Sequence, residues 1–330
     1  MQQPPRPPRI ATVCVGGLRP QKPNENVRRI RVLDQAIEAV VASNWHPIDA
    51  MVFPGGFFRI RGPFANLEFE QRVVAIEATE PGKALKRGVL RLQTASARAL
   101  LITGMDAACL GLGGREDQLC VAFGEAGVVG LARKIILTER DGQGRRPIVP
   151  AALDYESKWR FIALPNGDKA VLCACYDLFG FDIPPDKTTA KTRAIRAIWS
   201  GRGIARTGDP GFLTLRAACL RNWDRLWREQ RPAVAISAIH GFSRPGLDSY
   251  WQRHGLAACS AALGGNLAVA AAHFYYQLPA EGRSPLAAHG VGKRHLTLGP
   301  HRQARPLRPS AEIEIEYGGY LQAVVRLYTP

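Results

Sequence analysis

Residues 170–177 read Ala170-Val171-Leu172-Cys173-Ala174-Cys175-Tyr176-Asp177, an apolar run that ends on a cysteine followed by polar residues. The run has the length and composition of a buried strand, and Leu178-Phe179-Gly180 lead away from it. A nucleophile at a strand end, on a sharp turn into a helix, is presented at the edge of a sheet. Helix-start N–H groups there can lower a thiol pKa and receive an oxyanion. Taken alone, Cys175 would more often be a small buried residue. Forty-one positions earlier, Ala132-Arg133-Lys134-Ile135-Ile136-Leu137 puts a lysine into an otherwise apolar strand. Burying an unpaired ammonium is expensive, so such a lysine either has a partner and a purpose or belongs to an edge strand with its head in solvent.

Outward from these two segments, strands and helices alternate. Ile10–Val15 reads as a buried strand, and Pro23-Asn24 opens a helix with Asn24 as its N-cap. Val27, Ile30, Leu33, Ile37, Val40 and Val41 form one apolar stripe on that helix. Ala50–Phe53 is a second strand, stopped by Pro54-Gly55-Gly56. Helices are expected over 66–79 and 86–98, with a strand at Leu100–Gly104. Two hairpins follow. Gln118–Phe123 and Ala132–Leu137 flank Gly124–Gly127, and Trp159–Leu164 and Ala170–Cys175 flank Asn166-Gly167, the stronger turn signal. Ala233–Ile239, Leu267–Phe274, Glu312–Tyr317 and Leu321–Leu327 supply further strands, with a helix at 248–263. Strands mixed with crossover helices and hairpins predict an α/β fold with a mixed sheet.

The 330 residues, 46% hydrophobic and 22% charged, suffice for one large domain with a full core. A proline-rich tail covers residues 1–8, and the irregular, basic stretch near 181–217 reads as a surface insertion. The start lacks the apolar run of a signal peptide and no apolar stretch is long enough to span a bilayer, so a cytoplasmic protein without membrane contact is expected. Seven cysteines, mostly inside apolar runs, suit reduced thiols. The Cys173/Cys175 pair has no second pair to complete a zinc site, so no metal is expected. The net charge of 44 − 28 = +16, concentrated partly between residues 187 and 231, comes without any recognised nucleic-acid motif, so a nucleic-acid partner is not expected.

Three short blocks occur in a telling order: Val52-Phe53-Pro54, Arg133-Lys134 and Cys175-Tyr176-Asp177. In this the chain resembles the nitrilase, or carbon–nitrogen hydrolase, superfamily, whose members carry Phe-Pro-Glu, Arg-Lys and Cys-Tyr-Asp. The flanking order agrees, including Trp251 on a helix leading into Asn266-Leu267-Ala268-Val269, and the likeness runs from about residue 9 to the C-terminus. The resemblance implies a four-layer α-β-β-α sandwich that commonly forms a homodimer. It implies a small amide, nitrile or carbamoyl compound as substrate and no organic cofactor or metal. Cys175 would be the nucleophile. Lys134 and the backbone amide of Tyr176 would hold the oxyanion, and a second glutamate of the family would correspond to Glu139.

The sequence departs from the family at its general base. Phe-Pro-Glu reads Phe53-Pro54-Gly55 here, and glycine accepts no proton. Loss of a general base costs about 10²- to 10⁴-fold in rate. Either another carboxylate replaces it (Glu68, Glu70 and Glu125 are candidates), or the protein binds a ligand without turning it over, as a scaffold. A cysteine–histidine pairing would favour His240, at the end of the apolar strand Ala233–Ile239, but no third group to orient it can be named from sequence, and strand-end histidines are more often structural. A serine elbow (G-x-S-x-G) is absent, and Gly111-Leu112-Gly113-Gly114 lacks dinucleotide-loop spacing.

Overall fold

The computed structural model describes residues 6–16, 23–61, 67–108, 116–134, 158–179, 225–242, 251–264, 266–274, 297–298, 307–317 and 320–330. The expected insertion near 181–217 and most of the N-terminal tail lie outside them.

Strand β1 (Ile10–Gly16) is buried almost throughout, as an apolar run in a parallel region must be. Helix α1 (Asn26–Ala42) then returns to β2 (Ala50–Val52), which pairs parallel to β1 in the register Ile10↔Ala50. β3 (Phe58–Arg61), α2 (Phe69–Ala78), α3 (Glu80–Gln93) and β4 (Leu100–Ala108) follow. β5 (Glu116–Gly124) and β6 (Gly127–Arg133) form the first expected hairpin, and β7 (Phe161–Ala163) and β8 (Lys169–Ala174) the second. β9 (Val234–Phe242), β10 (Leu267–Phe274), β11 (Thr297–Leu298), β12 (Ala311–Tyr317) and β13 (Tyr320–Tyr328) complete the described strands.

The strand order is β6-β5-β4-β2-β1-β10-β9-β8-β7, with β13 antiparallel to β1. The sheet folds over so that β5 and β6 face β8 while β4 faces β9. Val52, Ile102, Ala122, Leu172, Ile236 and Val269 fill the space between the halves. On the outside of one half, Leu33 and Ile37 of α1 and Val89 and Leu92 of α3 pack on Val13, Leu101 and Val121. On the outside of the other, Trp251 and Cys259 of the helical segment 251–262 cover Val171, Cys173 and Ala235. The layers are therefore α-β-β-α, as expected. Each fully buried Leu, Ile or Val side chain contributes about 1.5–3 kcal/mol to holding them together. Among the described residues no helix is long and apolar enough to cross a membrane.

Three local expectations need correction. Helix α1 starts at Asn26 after a 3₁₀ turn at Pro23–Glu25, so Asn24 is not its cap. Asn26 is the working asparagine: its amide donates to the Arg59 carbonyl at 2.7 Å and accepts from the Arg59 N–H at 2.9 Å, pinning α1 to β3. Val27, assigned to the apolar stripe, is 57% exposed. Helix α3 begins at Glu80, not near 86, because Thr79 caps it by accepting from the Gly82 N–H at 3.1 Å, with Pro81 in the first turn.

Candidate active site

Strand β8 ends at Ala174, and Cys175 opens a 3₁₀ turn that runs to Phe179. Cys175 has φ +51, a left-handed conformation that costs an L-residue about 1–2 kcal/mol. Such strain persists where neighbouring structure enforces it. Here the buried Asp177 carboxylate accepts from the Ala174 N–H at 3.2 Å and lies 3.8 Å from the buried Arg160 guanidinium. Arg160 also donates to the Arg133 carbonyl at 3.0 Å. One arginine thus ties the end of β8 to the end of β6, where Lys134 follows.

Lys134 is 2% exposed. Its N–H donates to the Gln118 carbonyl at 2.9 Å and its ammonium to Gln118 Oε1 at 2.8 Å, so β5 holds both ends of the residue. The ammonium also lies 5.1 Å from the Tyr176 ring centroid. Tyr176 meets Trp251 edge-on at 4.8 Å, and Trp251 meets Phe242 at 6.1 Å, giving the cysteine turn an aromatic wall.

His240 enters from the neighbouring strand. β8 and β9 run parallel with Ala174 opposite Ala238, which brings His240 to the same sheet end as Cys175. There its ring and backbone lie close enough to the Cys175 sulfur for each group to shift the other's pKa. The other side of the ring is engaged by Asp106, with Nε2 to Oδ1 at 2.6 Å. Asp106 is 1% exposed and His240 13%. Burial pushes the Cys175 thiol up, but the Lys134 ammonium and the neighbouring His240 outweigh it, and the thiol lies below its ordinary value. Burial pushes His240 down, yet Asp106 and the Cys175 sulfur raise it to about 10. Both shifts favour the thiolate–imidazolium form of the pair.

The glycines at the expected glutamate position are part of the same construction. A Cβ on Gly55 would lie 2.6 Å from the Ala238 carbonyl oxygen, 2.7 Å from the His240 backbone nitrogen and 2.8 Å from His240 Nδ1. A Cβ on Gly56, at φ +59, would lie 2.6 Å from Asp106 Oδ2. The Gly55 N–H donates to the Ile239 carbonyl at 3.0 Å, stitching this turn onto β9. Gly104 and Asp106 share a face of β4 by strand alternation, and the turn rests on Gly104 so closely that a Cβ there would meet Gly55 Cα at 2.2 Å.

Of the residues expected from sequence, Cys175, Lys134 and Tyr176 come together. Gly55 joins them, packed against β9 and the histidine ring. Glu139 lies outside the described residues. Glu68 and Glu70 are exposed at the start of α2, and Glu125 is exposed at the tip of the β5–β6 hairpin, so none replaces the missing glutamate. Asp106 was not anticipated. It sits in a strand extension beyond Gly104 and meets a residue 134 positions away, which no local pattern signals.

No family model and no curated protein matches the chain. Solved structures do. A cysteine-to-alanine mutant of the amidase from Nesterenkonia sp. AN1, in complex with butyramide, aligns with TM-score 0.50 at 13% identity, over 98% of this chain and 92% of that one. This is the nitrilase-superfamily fold. A second structure of that amidase, with the acetamide moiety of fluoroacetamide added covalently at its active-site cysteine, gives 0.49 at 12% identity, over 100% and 93% of the two chains. The nitrilase fold explains the layer order seen here, and at this identity the likeness extends to architecture alone.

Proposed function

We propose that this protein is a carbon–nitrogen hydrolase that cleaves a small amide, nitrile or carbamoyl compound through a Cys175 acyl-enzyme. The observation that carries the reading is Cys175 itself: a thiol held below its ordinary pKa in a buried, left-handed turn, with the Lys134 ammonium acting on it. A purely structural cysteine in apolar surroundings is pushed the other way, as Cys120 is here, well above its ordinary value by burial.

The thiolate attacks the carbonyl or nitrile carbon. The developing negative charge faces Lys134 and the Tyr176 backbone N–H, the leaving nitrogen departs, and water resolves the thioester. Because the nitrilase-fold amidase above is described with butyramide, short aliphatic amides are the first substrates to try. A reading without turnover, as a ligand-binding or scaffold protein, draws on Gly55, which removes the expected base. Ammonia release from a panel of short amides and nitriles, measured for wild type and Cys175→Ala, separates the two. Release by wild type that is lost in the variant is expected. Equal background from both would leave only the binding role.

A further inference from the structure

We propose that His240 is the general acid–base of this site and Asp106 its positioning residue, together occupying the place that a glutamate at position 55 would take. The inference rests on the reading of Cys175 as the nucleophile and adds the proton carrier which that reading lacks. Three independent features support it. The parallel pairing of β8 and β9, with Ala174 opposite Ala238, brings the imidazole to the same sheet end as Cys175, near enough for the two groups to act on each other's charge. Its far edge is fixed by a buried carboxylate at 2.6 Å, the arrangement that orients a catalytic imidazole in a nucleophile–base–orienter triad. The volume in which a side chain at 55 would start already holds Ala238, the His240 backbone and the His240 ring. Glycine at 55 is therefore a condition for the histidine to sit where it does. In this site the proton carrier comes from β9 and not from position 55.

The proton movements balance. The reactive form of the pair has Cys175 as thiolate and His240 as imidazolium. Attack on an amide forms the carbon–sulfur bond and places the carbonyl electron pair on oxygen. As that intermediate collapses, the carbon–nitrogen bond breaks and the imidazolium gives its proton to the departing nitrogen, which leaves as ammonia or an amine. Neutral His240 then takes a proton from water while the hydroxyl attacks the thioester. Collapse expels the Cys175 thiolate, the carboxylic acid departs, and imidazolium is restored. The carboxylate of Asp106 stabilises the cation and stays ionised.

Among the described residues, several titratable and charged groups face His240. Asp106 faces it from β4 and Cys175 from the turn after β8, with Lys134 at the end of β6 acting on the same sulfur. From β10, His273 Nδ1 contacts the His240 carbonyl oxygen at 3.0 Å, and burial together with the nearby Arg29 of α1 keeps His273 neutral.

The test is the pH profile of Cys175 alkylation by iodoacetamide, read by intact mass and peptide mapping, for wild type, His240→Gln and Asp106→Asn. The position of the inflection is the readout, because a rate at one pH is blunted by the greater nucleophilicity of a more basic thiolate. Each unit of upward shift lowers the rate on the acid side only about 3-fold. Wild type should alkylate at Cys175 with its inflection below the ordinary thiol value, and His240→Gln should move the inflection up by at least one unit. Asp106→Asn should move it in the same direction by less, and it serves as the deciding variant if His240→Gln does not fold. An unchanged inflection in the folded variants would overturn the role of His240 and leave Cys175 as nucleophile. A wild-type inflection at or above the ordinary thiol value would overturn the nucleophile assignment itself.

Discussion

Replacing Gly55 by alanine adds a single methyl group at a point where nothing can yield. Two of its three nearest neighbours, at 2.6 and 2.7 Å, are backbone atoms of β9, which is paired on both sides. Forcing extra carbon into a packed site costs about 1–3 kcal/mol. If the turn backs away from β9 to relieve the contact, the hydrogen bond from Gly55 to Ile239 goes with it, at about 1 kcal/mol. The expected loss for Gly55→Ala is therefore about 2–4 kcal/mol, a large share of the 5–15 kcal/mol typical of a folded protein. Urea titration followed by far-UV circular dichroism measures it. The same displacement should disturb His240, so the alkylation inflection of Cys175 should rise together with the loss of stability. Gly55→Glu, which restores the family's glutamate in name, should behave worse than Gly55→Ala. A Gly55→Ala variant within about 0.5 kcal/mol of wild type, or a folded Gly55→Glu that alkylates with a lower inflection, would refute the packing argument.

Other outcomes follow from the same geometry. Asp106→Asn removes one partner of a buried ion pair and should cost about 3–5 kcal/mol. Since His240 is raised in the fold to about 10 from an ordinary value near 6.5, its contribution is full below pH 6.5 and lost as the pH rises through 10. The gap between wild type and Asp106→Asn in urea titrations should narrow over that window; a gap independent of pH would count against the ion pair. Lys134→Met removes the largest charge lowering the Cys175 thiol, so its alkylation inflection should move up, and hydrolysis of a working amide should fall about 10²- to 10³-fold. Cys175→Gly should be more stable than Cys175→Ala by about 1 kcal/mol, the left-handed penalty less glycine's greater unfolded-state entropy, and urea midpoints in the reverse order would mean that the turn is unstrained.

The layers of the fold were legible because long apolar runs and strong turn signals govern them. Asn166-Gly167, with Gly167 at φ +94, gave the β7–β8 hairpin, and the runs of β1, β9 and β10 gave buried strands. Strand β3 was missed because Phe58–Arg61 follows directly on the Gly55-Gly56 turn, and its pairing with β4 is a long-range fact. The extension of β4 to Ala108 was missed for a related reason. Gly104 and Asp106 are both depleted in strands, and here each is required, one for close approach of the 54–56 turn and the other for the histidine. Cys175 and Lys134 could be read from short blocks of sequence. The Cys175–His240–Asp106 constellation could not, since two strands and the turn after a third contribute one group each, from positions at least 65 residues apart. Arg160, expected inside an ordinary strand, proved to be a buried tie between two strand ends, visible only once both ends are in place. The one hint in the sequence was paired: a glycine where the family has glutamate, and an imidazole at the end of an apolar strand.

The most direct measurement follows the acyl group itself. Rapid mixing with p-nitrophenyl butyrate, quenching and intact-mass analysis with peptide mapping would show whether a butyryl group appears on Cys175 and how fast it leaves. Wild type should form the Cys175 thioester transiently and hydrolyse it. His240→Gln should acylate and retain it, for want of a base to activate water, and Cys175→Ala should acquire none. A butyryl group on another residue, or a thioester that His240→Gln hydrolyses as fast as wild type, would contradict a Cys175 nucleophile served by His240.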